Sequence, residues 1–324
     1  MKKFFVLFLF TLVPFITEGA QVVFYAGNVE VVRNAKKMPI TTGAALQTGD
    51  VITTGSKSIV QIIYDDDSKI EVLENTSVMI GSADIKGSDN VVLISGAVKG
   101  KFAKLAKEKK IYTSTVICGI RGTEFQISAG KDGSTLIDLQ EGALVVSNRY
   151  GSEDMEQWEK LEAGISKSLS KTKQNISSEE WMKEKENELF LNPELKANNF
   201  QAYIDELTAD NKEKIKLLDD LSKEINEQTD GQLVKTENDT ADNLFILQAL
   251  SLSLENITIN FNGSENKNAY EVFGNLKKEA DALYKLQSKI YSDIEKIRVT
   301  HWKAKRDILD KNKEEKMRIR ENIR

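Results

Sequence analysis

Cysteine and histidine are nearly absent from this 324-residue sequence, which contains only Cys118 and His301. A lone cysteine excludes a disulfide within the chain, and two such residues about 180 positions apart exclude the usual zinc frameworks. After the N-terminus, no apolar run approaches the roughly eighteen residues that a transmembrane helix needs. The sequence therefore argues against metal and other cofactor sites, and against a transmembrane helix in the mature chain.

The first twenty residues differ from the rest. Residues 1–20 contain two lysines, an apolar run from Phe4 to Val13, then Pro14 and the small residues Gly19 and Ala20. This layout is typical of a secretory signal peptide. It predicts export to the periplasm or the medium, with cleavage near Gly19 or Ala20.

Charge is unevenly distributed along the chain, whose formal net charge is −5. Residues 21–175 carry 19 basic and 19 acidic side chains, and residues 176–302 carry 15 basic and 25 acidic ones. Residues 303–324 reverse the sign, with 9 basic and 5 acidic side chains. The basic tip, with Trp302 beside it, is a candidate for contact with a partner or a membrane surface. The acidic excess elsewhere argues against nucleic acid as a partner.

Residues 21–170 have the pattern of a β domain. Short runs rich in Val, Ile, Phe and Tyr are broken by Gly, Asp, Asn and Ser. Residues 125–139 predict a hairpin around Gly130 and Gly133. Three similar segments place a glycine inside strand-like sequence, at 25–32, 94–101 and 140–147, which predicts three bends. A sandwich, a roll or a short β-solenoid would each satisfy this pattern.

The period changes to that of helices beyond residue 170. Residues 171–193 predict a linker with a short helix capped by Ser177, and Pro193 opens a second helix. Residues 194–324 predict a helical coiled-coil region in which TDGQ (229–232) ends a helix and 256–268 form a loop. The last helix is predicted to run about 50 residues, because apolar residues follow at the coiled-coil period. These are Leu276, Ala280, Leu283, Leu286, Ile290, Ile294, Ile297, His301, Ala304 and Ile308. Pairing within one chain and pairing between chains both remain open.

Several residues invite a chemical interpretation and are better explained by structure. Cys118 lies in an apolar stretch without a nearby base, so a buried side chain is expected. The GxxG of residues 119–122 lies between strand-like segments, unlike the RNA-binding loop that joins two helices. Residues 65–68 lack the ligand spacing of a calcium loop and predict a hairpin turn. Trp158 and Trp181 are expected to pack at the junction of the two halves.

A set of motifs runs in order along the β half. They are Gly49-Asp50, Thr54-Gly55, the Asp-rich turn 65–68, Arg121-Gly122-Thr123 and Glu141-Gly142. This order resembles the FecR domain family over about residues 21–170. Within it, Asp50 is expected to serve a turn, Gly122 to turn the chain into the next strand, and Arg121 to pair across the sheet or contact a partner.

The resemblance implies an envelope domain, best known as the periplasmic part of sensors for iron-siderophore uptake, without established catalytic residues. Those sensors carry an anti-sigma segment and a transmembrane helix before the domain. Here a predicted signal peptide stands in front of it, so the resemblance is not extended to anti-sigma activity.

The sequence supports two hypotheses of function. The first is a non-enzymatic exported envelope protein, α+β in two segregated parts, whose β domain binds a ligand, an envelope protein or a cell-wall component. Its coiled coil would then provide homo-oligomerisation or attachment. The alternative is a periplasmic sensor or regulatory component in iron-uptake or envelope-stress signalling, acting through a separate membrane protein.

Overall fold

The fold is α+β in two segregated parts, as the sequence predicts: strands occupy the N-terminal half and long helices the C-terminal half. The computed structural model describes residues 20–82, 85, 90–102, 109–120, 122–173, 176–223, 226–263 and 266–322. The predicted signal peptide, apart from Ala20, lies outside the described residues.

The described residues contain sixteen strands. The first eight are β1 (Gln21–Ala26), β2 (Val29–Arg33), β3 (Lys36–Met38), β4 (Val51–Thr54), β5 (Ile59–Ile63), β6 (Lys69–Val72), β7 (Ser77–Ile80) and β8 (Val91–Lys101). The others are β9 (Lys109–Tyr112), β10 (Ile117–Ile120), β11 (Glu124–Ala129), β12 (Thr135–Glu141), β13 (Leu144–Asn148), β14 (Gly151–Met155), β15 (Lys160–Ala163) and β16 (Ser170–Thr172).

These strands form two sheets joined by one strand. Sheet A has the order β1-β5-β6-β8-β11-β12-β15-β16, and sheet B has the order β3-β2-β4-β7-β8-β9-β10-β13-β14. All pairs are antiparallel except β8 with β9. The first half of β8 pairs with β7 in sheet B, and its second half pairs with β11 in sheet A. The two sheets share one apolar core, so the domain is a sandwich in which β8 belongs to both layers.

Three glycines lie at places where the chain passes from one sheet to the other. Gly27 lies between β1 and β2, Gly96 lies inside β8, and Gly142 lies between β12 and β13. Their φ angles are 82°, 89° and 89°, a region that L side chains rarely adopt. The three bends predicted from the repeated glycine pattern are therefore confirmed, and each one is a sheet-to-sheet crossing.

The centre of sheet B, at β7 and β8, is buried on both faces. Val78 and Leu93 point into the core between the sheets, whereas their neighbours Met79, Val92 and Ile94 pack under the helices. Because side chains alternate along a strand, a strand covered on both sides has an unbroken apolar run. This burial explains the run VVLI at residues 91–94.

Four helices follow the β domain: α1 (Ser178–Leu191), α2 (Pro193–Leu221), α3 (Glu227–Phe261) and α4 (Lys267–Asn322). Two predicted helix starts are confirmed, since Ser177 forms a capping box with Glu180 and Pro193 opens α2. Two predicted ends are wrong. The segment at 229–232 lies inside α3, and the predicted loop begins only after Phe261. Asn226 caps α3 through Thr229, and this local cap places the helix start before Gly231.

The long last helix is confirmed and reaches 56 residues, or about 84 Å at 1.5 Å per residue. Its apolar stripe packs against α2 and α3 of the same chain from Leu276 to His301. Beyond His301 the stripe loses its cover, and Ile308 is 54% exposed. The region is therefore a helical bundle on sheet B with a projecting end.

Among the described residues, one helix has the length and apolarity of a membrane span. Within residues 228–261 of α3, a window reaches a mean hydropathy of 1.3, and 61% of that window is buried inside the protein. The buried part packs on sheet B and α4, and a mostly buried core helix meets the same criteria of length and apolarity.

Candidate functional site

The Gly49-Asp50 motif is an internal anchor. The carboxylate of Asp50 is fully buried and accepts hydrogen bonds from Arg33 Nε at 2.7 Å and Arg33 Nη2 at 2.6 Å. The backbone amide of Gln47 donates a third, at 2.8 Å. The hydrogen bonds to Asp50, together with its charge, raise the pKa of Arg33 above its ordinary value. The sequence predicts a turn at Asp50 but does not point to Arg33, because 17 positions separate the two residues.

The two later motifs meet each other. Gly122 has a φ of 68° and precedes Thr123, which is buried next to β11, while Arg121 lies outside the described residues. A side chain built at Gly142 would lie 2.6 Å from the carbonyl oxygen of Gly122. Glu141 is exposed beside this contact. The structure thus brings residues 122–123 and 141–142 together, and Asp50 is paired separately with Arg33.

The other chemical candidates are structural. Cys118 is fully buried, as predicted, and burial raises the pKa of its thiol, which suppresses thiolate. Residues 65–68 form the predicted turn between β5 and β6, closed by the amide of Tyr64 donating to the carbonyl of Ser68 at 2.9 Å. In the part of the chain that is described, no three His, Cys, Asp or Glu side chains are grouped for a metal.

Of the two tryptophans predicted to pack at the junction, one is buried and the other is exposed. Trp181 is buried on α1, as expected. Trp158 is 75% exposed in the turn before β15, so its predicted packing at the junction is wrong. Its backbone has a φ of 71° and donates to the carbonyl of Leu139 at 2.8 Å, which fixes the side chain outward. Trp302 lies far along α4, with the guanidinium of Arg306 5.5 Å from its ring centre.

A groove opens where β8 crosses between the sheets. Two cavities, of about 320 and 450 Å³, share Asn75, Ser95 and Lys131 in their linings. The smaller one is bounded by the end of α3, including Asn256 and Asn260, and the larger one by α1. We call the two cavities together the β8 groove.

The chemistry of the β8 groove suits binding more than catalysis. Its smaller cavity presents amide and hydroxyl groups, such as Asn75 and Asn256. Its larger cavity adds the apolar side chains of Leu73 and Met182. Lys131 bridges to Glu186 at 2.5 Å along the wall. The larger cavity also carries charged side chains of both signs, among them Glu74 and Lys183. Hydrogen-bonding and charged groups beside an apolar patch can hold an extended polypeptide, and the described lining contains no cysteine or histidine.

A buried charge cluster connects the β domain to the helices. Lys196 Nζ of α2 lies 2.6 Å from Asp132 in the β11–β12 hairpin and 2.8 Å from Glu188 of α1. Lys185 Nζ lies 2.9 Å from Glu162 of β15. The cluster surrounds a cavity of about 250 Å³. The side chain of Asp132 is only 4% exposed, and Lys196 is the cation that lies beside it.

We expect Lys196→Met to lower the free energy of unfolding by about 2–3 kcal/mol, because it leaves the Asp132 carboxylate buried without that cation. Denaturant unfolding at pH 7 measures the loss.

The same cluster makes stability depend on pH through Glu188. Burial alone would raise the pKa of Glu188, but the hydrogen bond and charge of Lys196 lower it below its ordinary value. The contribution of Glu188 is thus present above about pH 4.3 and is lost as the pH falls through its lowered pKa.

The matched control is Lys223→Met, which removes an exposed lysine 2.6 Å from Asp219. An exposed pair of this kind contributes at most about 1 kcal/mol, so little change is expected. Equal losses in the two variants would contradict the role of the buried cluster.

Residues 50–145, from Asp50 to Val145, match the family model described as FecR protein. Two crystal structures of "a putative anti-sigma factor" from Parabacteroides distasonis ATCC 8503, at 1.65 and 2.50 Å, are similar at a TM-score of 0.34 and 13% identity. Each similarity covers 38% of this chain and 58% of that chain. No curated protein matches the sequence.

The family match spans β4 to β12 completely and ends inside β13. It contains the strand β8, the crossing at Gly96 and the motifs at residues 121–123 and 141–142. The resemblance drawn from the ordered motifs is confirmed over this range, where residues 50–145 of the β region match the FecR family model.

Proposed function

We propose that this chain is a non-enzymatic regulatory component of cell-envelope signalling, and that it acts by binding another protein in the β8 groove. The family match supports a regulatory role over that of a general envelope scaffold. The observation that carries the proposal is the position of the groove. Its floor is the crossing of β8 inside the FecR domain, and its walls are α1 and α3.

The shape of the groove favours a polypeptide over a compact small ligand. Its two cavities follow one another through Asn75, Ser95 and Lys131, so together they accept an elongated occupant. The hydroxyl of Ser253 already donates to the carbonyl of Ile94 at 3.0 Å, which ties α3 to the floor. Occupation would therefore act on the packing between the FecR domain and the bundle, which is how a binding event can be passed to the helices.

The setting of this activity is the periplasm or the cell exterior, according to the signal-peptide pattern of residues 1–20. The partner is then an envelope protein, with a separate membrane protein carrying the signal across the membrane. A cell-wall component is the alternative occupant of the β8 groove. Homo-oligomerisation through the C-terminal helices would need surfaces other than the stripe from Leu276 to His301, which is covered within the chain.

The test fills the groove and measures regulation. Asn256→Trp places an indole in the smaller cavity, whereas Glu255→Trp, one residue away, places the same group on the exposed side of α3. Each variant replaces the chromosomal gene, and the transcript profile is compared with that of a deletion strain. We expect Asn256→Trp to reproduce the deletion profile and Glu255→Trp to match wild type, at equal protein levels by immunoblotting.

Two results would contradict the proposal. If deletion of the gene leaves envelope and iron-uptake transcripts unchanged, the protein does not have the proposed regulatory role. A wild-type profile in the Asn256→Trp strain, beside an altered profile in the deletion strain, shows that regulation does not pass through the β8 groove.

A further inference from the structure

The end of α4 continues beyond the bundle. The apolar core that includes Ile290 and Ile294 is the last to cover this helix. Two ion pairs to α3 hold its base: Arg298 with Glu237, and Lys305 with Asp230. After His301, large apolar side chains become exposed, with Trp302 at 60% and Leu309 at 59%. The helix is thus anchored at its base, and its described side chains beyond His301 are largely exposed.

One face of this end combines apolar and basic side chains. Trp302, Arg306, Leu309, Lys313 and Lys316 follow at steps of four, three, four and three, so they share one face of the helix. We call this set the distal stripe. It contains no carboxylate, and all five side chains are exposed. A face of this composition is a basic amphipathic surface.

The acidic side chains of the same segment lie off the stripe. Asp307 and Glu314 fall on the opposite side of the helix, by the 100° step per residue. Asp310 lies at the border, 4.0 Å from Arg306 Nε and 3.7 Å from Lys313 Nζ. Exposed pairs at such distances are worth little, so the stripe keeps a net positive charge.

A second copy of the chain is a poor occupant for the stripe. Two identical stripes related by a two-fold axis would place the basic side chains of one copy against those of the other. Docking of the stripe on the acidic flank of another copy would join two different surfaces, which is a heterologous contact. Such contacts give a closed assembly only when the copies complete a ring. An anionic planar surface meets neither difficulty, since it offers negative charge over the whole length of the stripe.

We propose that the distal stripe binds the surface of an anionic phospholipid bilayer. Lysine and arginine meet the phosphate groups, and Trp302 and Leu309 enter the boundary between headgroups and acyl chains. The remainder of the helical region carries 15 basic and 25 acidic side chains, so the same membrane repels it. Contact through the tip would therefore leave the FecR domain and the β8 groove facing away from the bilayer.

The test is flotation of the chain without its predicted signal peptide, residues 21–324. The vesicles contain phosphatidylcholine alone or phosphatidylcholine with 30% phosphatidylglycerol. Each base near an anionic surface contributes about 1 kcal/mol, so Arg306→Gln with Lys313→Gln should reduce partitioning by roughly thirtyfold. The matched control is Lys303→Gln with Lys311→Gln, which removes the same charge from the other side of the same helix. We expect the control to bind nearly as wild type does.

Fluorescence gives a second readout. Because Trp158 is also exposed, the Trp158→Phe protein is used, in which Trp302 is the exposed indole and Trp181 is buried. Phosphatidylglycerol vesicles should shift its emission to the blue, and phosphatidylcholine vesicles should not. Circular dichroism confirms that each variant remains helical.

Three outcomes would overturn the proposal. The wild-type protein could fail to float with anionic vesicles at low salt. The stripe and control variants could lose binding equally, which would indicate a general charge effect. Light scattering could show that the stripe variant changes the oligomeric state without any lipid binding, which would assign the stripe to a second copy.

Discussion

Gly96→Ala is expected to lower the free energy of unfolding by about 3–5 kcal/mol, a large share of a typical stability. A Cβ at this position would lie 2.3 Å from Thr76 Oγ1 and 2.5 Å from Thr76 Cα. Thr76 cannot retreat, because its hydroxyl accepts a hydrogen bond from the amide of Ala97 at 2.9 Å. The φ of 89° adds backbone strain. Denaturant unfolding, followed by circular dichroism, measures the effect.

The control for Gly96→Ala is the same substitution at Gly231. Gly231 lies inside α3, and a Cβ there would have nothing within 4 Å. Alanine restricts the unfolded chain and favours helix, so this variant should be more stable by about 0.5–1 kcal/mol. If both variants unfolded at the wild-type midpoint, the crossing of β8 would not require glycine.

Asp50→Ala should lower the free energy of unfolding by about 3–4 kcal/mol, because it leaves a charged partner without its counter-ion. The substitution removes two hydrogen bonds from Arg33 and one from the amide of Gln47. Arg33 is 22% exposed, so water can reach only part of the guanidinium afterwards. The midpoint of thermal or denaturant unfolding gives the loss.

The matched control for Asp50→Ala removes a carboxylate from the neighbouring strand. Glu30 lies 2.6 Å from Lys37, and both side chains are well exposed. Exposed pairs contribute about 0–1 kcal/mol, so Glu30→Ala should stay close to wild type. A loss in Asp50→Ala no larger than that in Glu30→Ala would show that the buried pair does not hold β2 to β4.

Local patterns were sufficient for the elements that depend on few neighbours. The hairpin of β11 and β12 was predictable because alternating apolar residues flank a turn that contains Gly133. The start of α1 was predictable because a capping box needs only Ser177 and Glu180. The burial of Cys118 followed from its apolar flanks.

Contacts between distant residues were not predictable in the same way. Arg33 joins Asp50 across two strands, and no spacing rule points from one to the other. The lining of the β8 groove comes from strands β4, β7, β8 and β11 with their turns, from α1 and from α3, which only the assembled fold brings together. Trp158 was expected inside and lies outside because its turn fixes the backbone.

The sequence by itself determined the two-part division, the FecR motifs, the three glycine bends and the long last helix. Each depends on periodicity or on backbone freedom, which neighbouring residues settle. Only the tertiary structure decided that the bends are crossings between two sheets and that the helices cover sheet B. It also decided that α4 extends beyond the helices packed against it from His301 onward. Those features depend on which apolar faces meet, and the meeting is decided by burial among segments far apart in the chain.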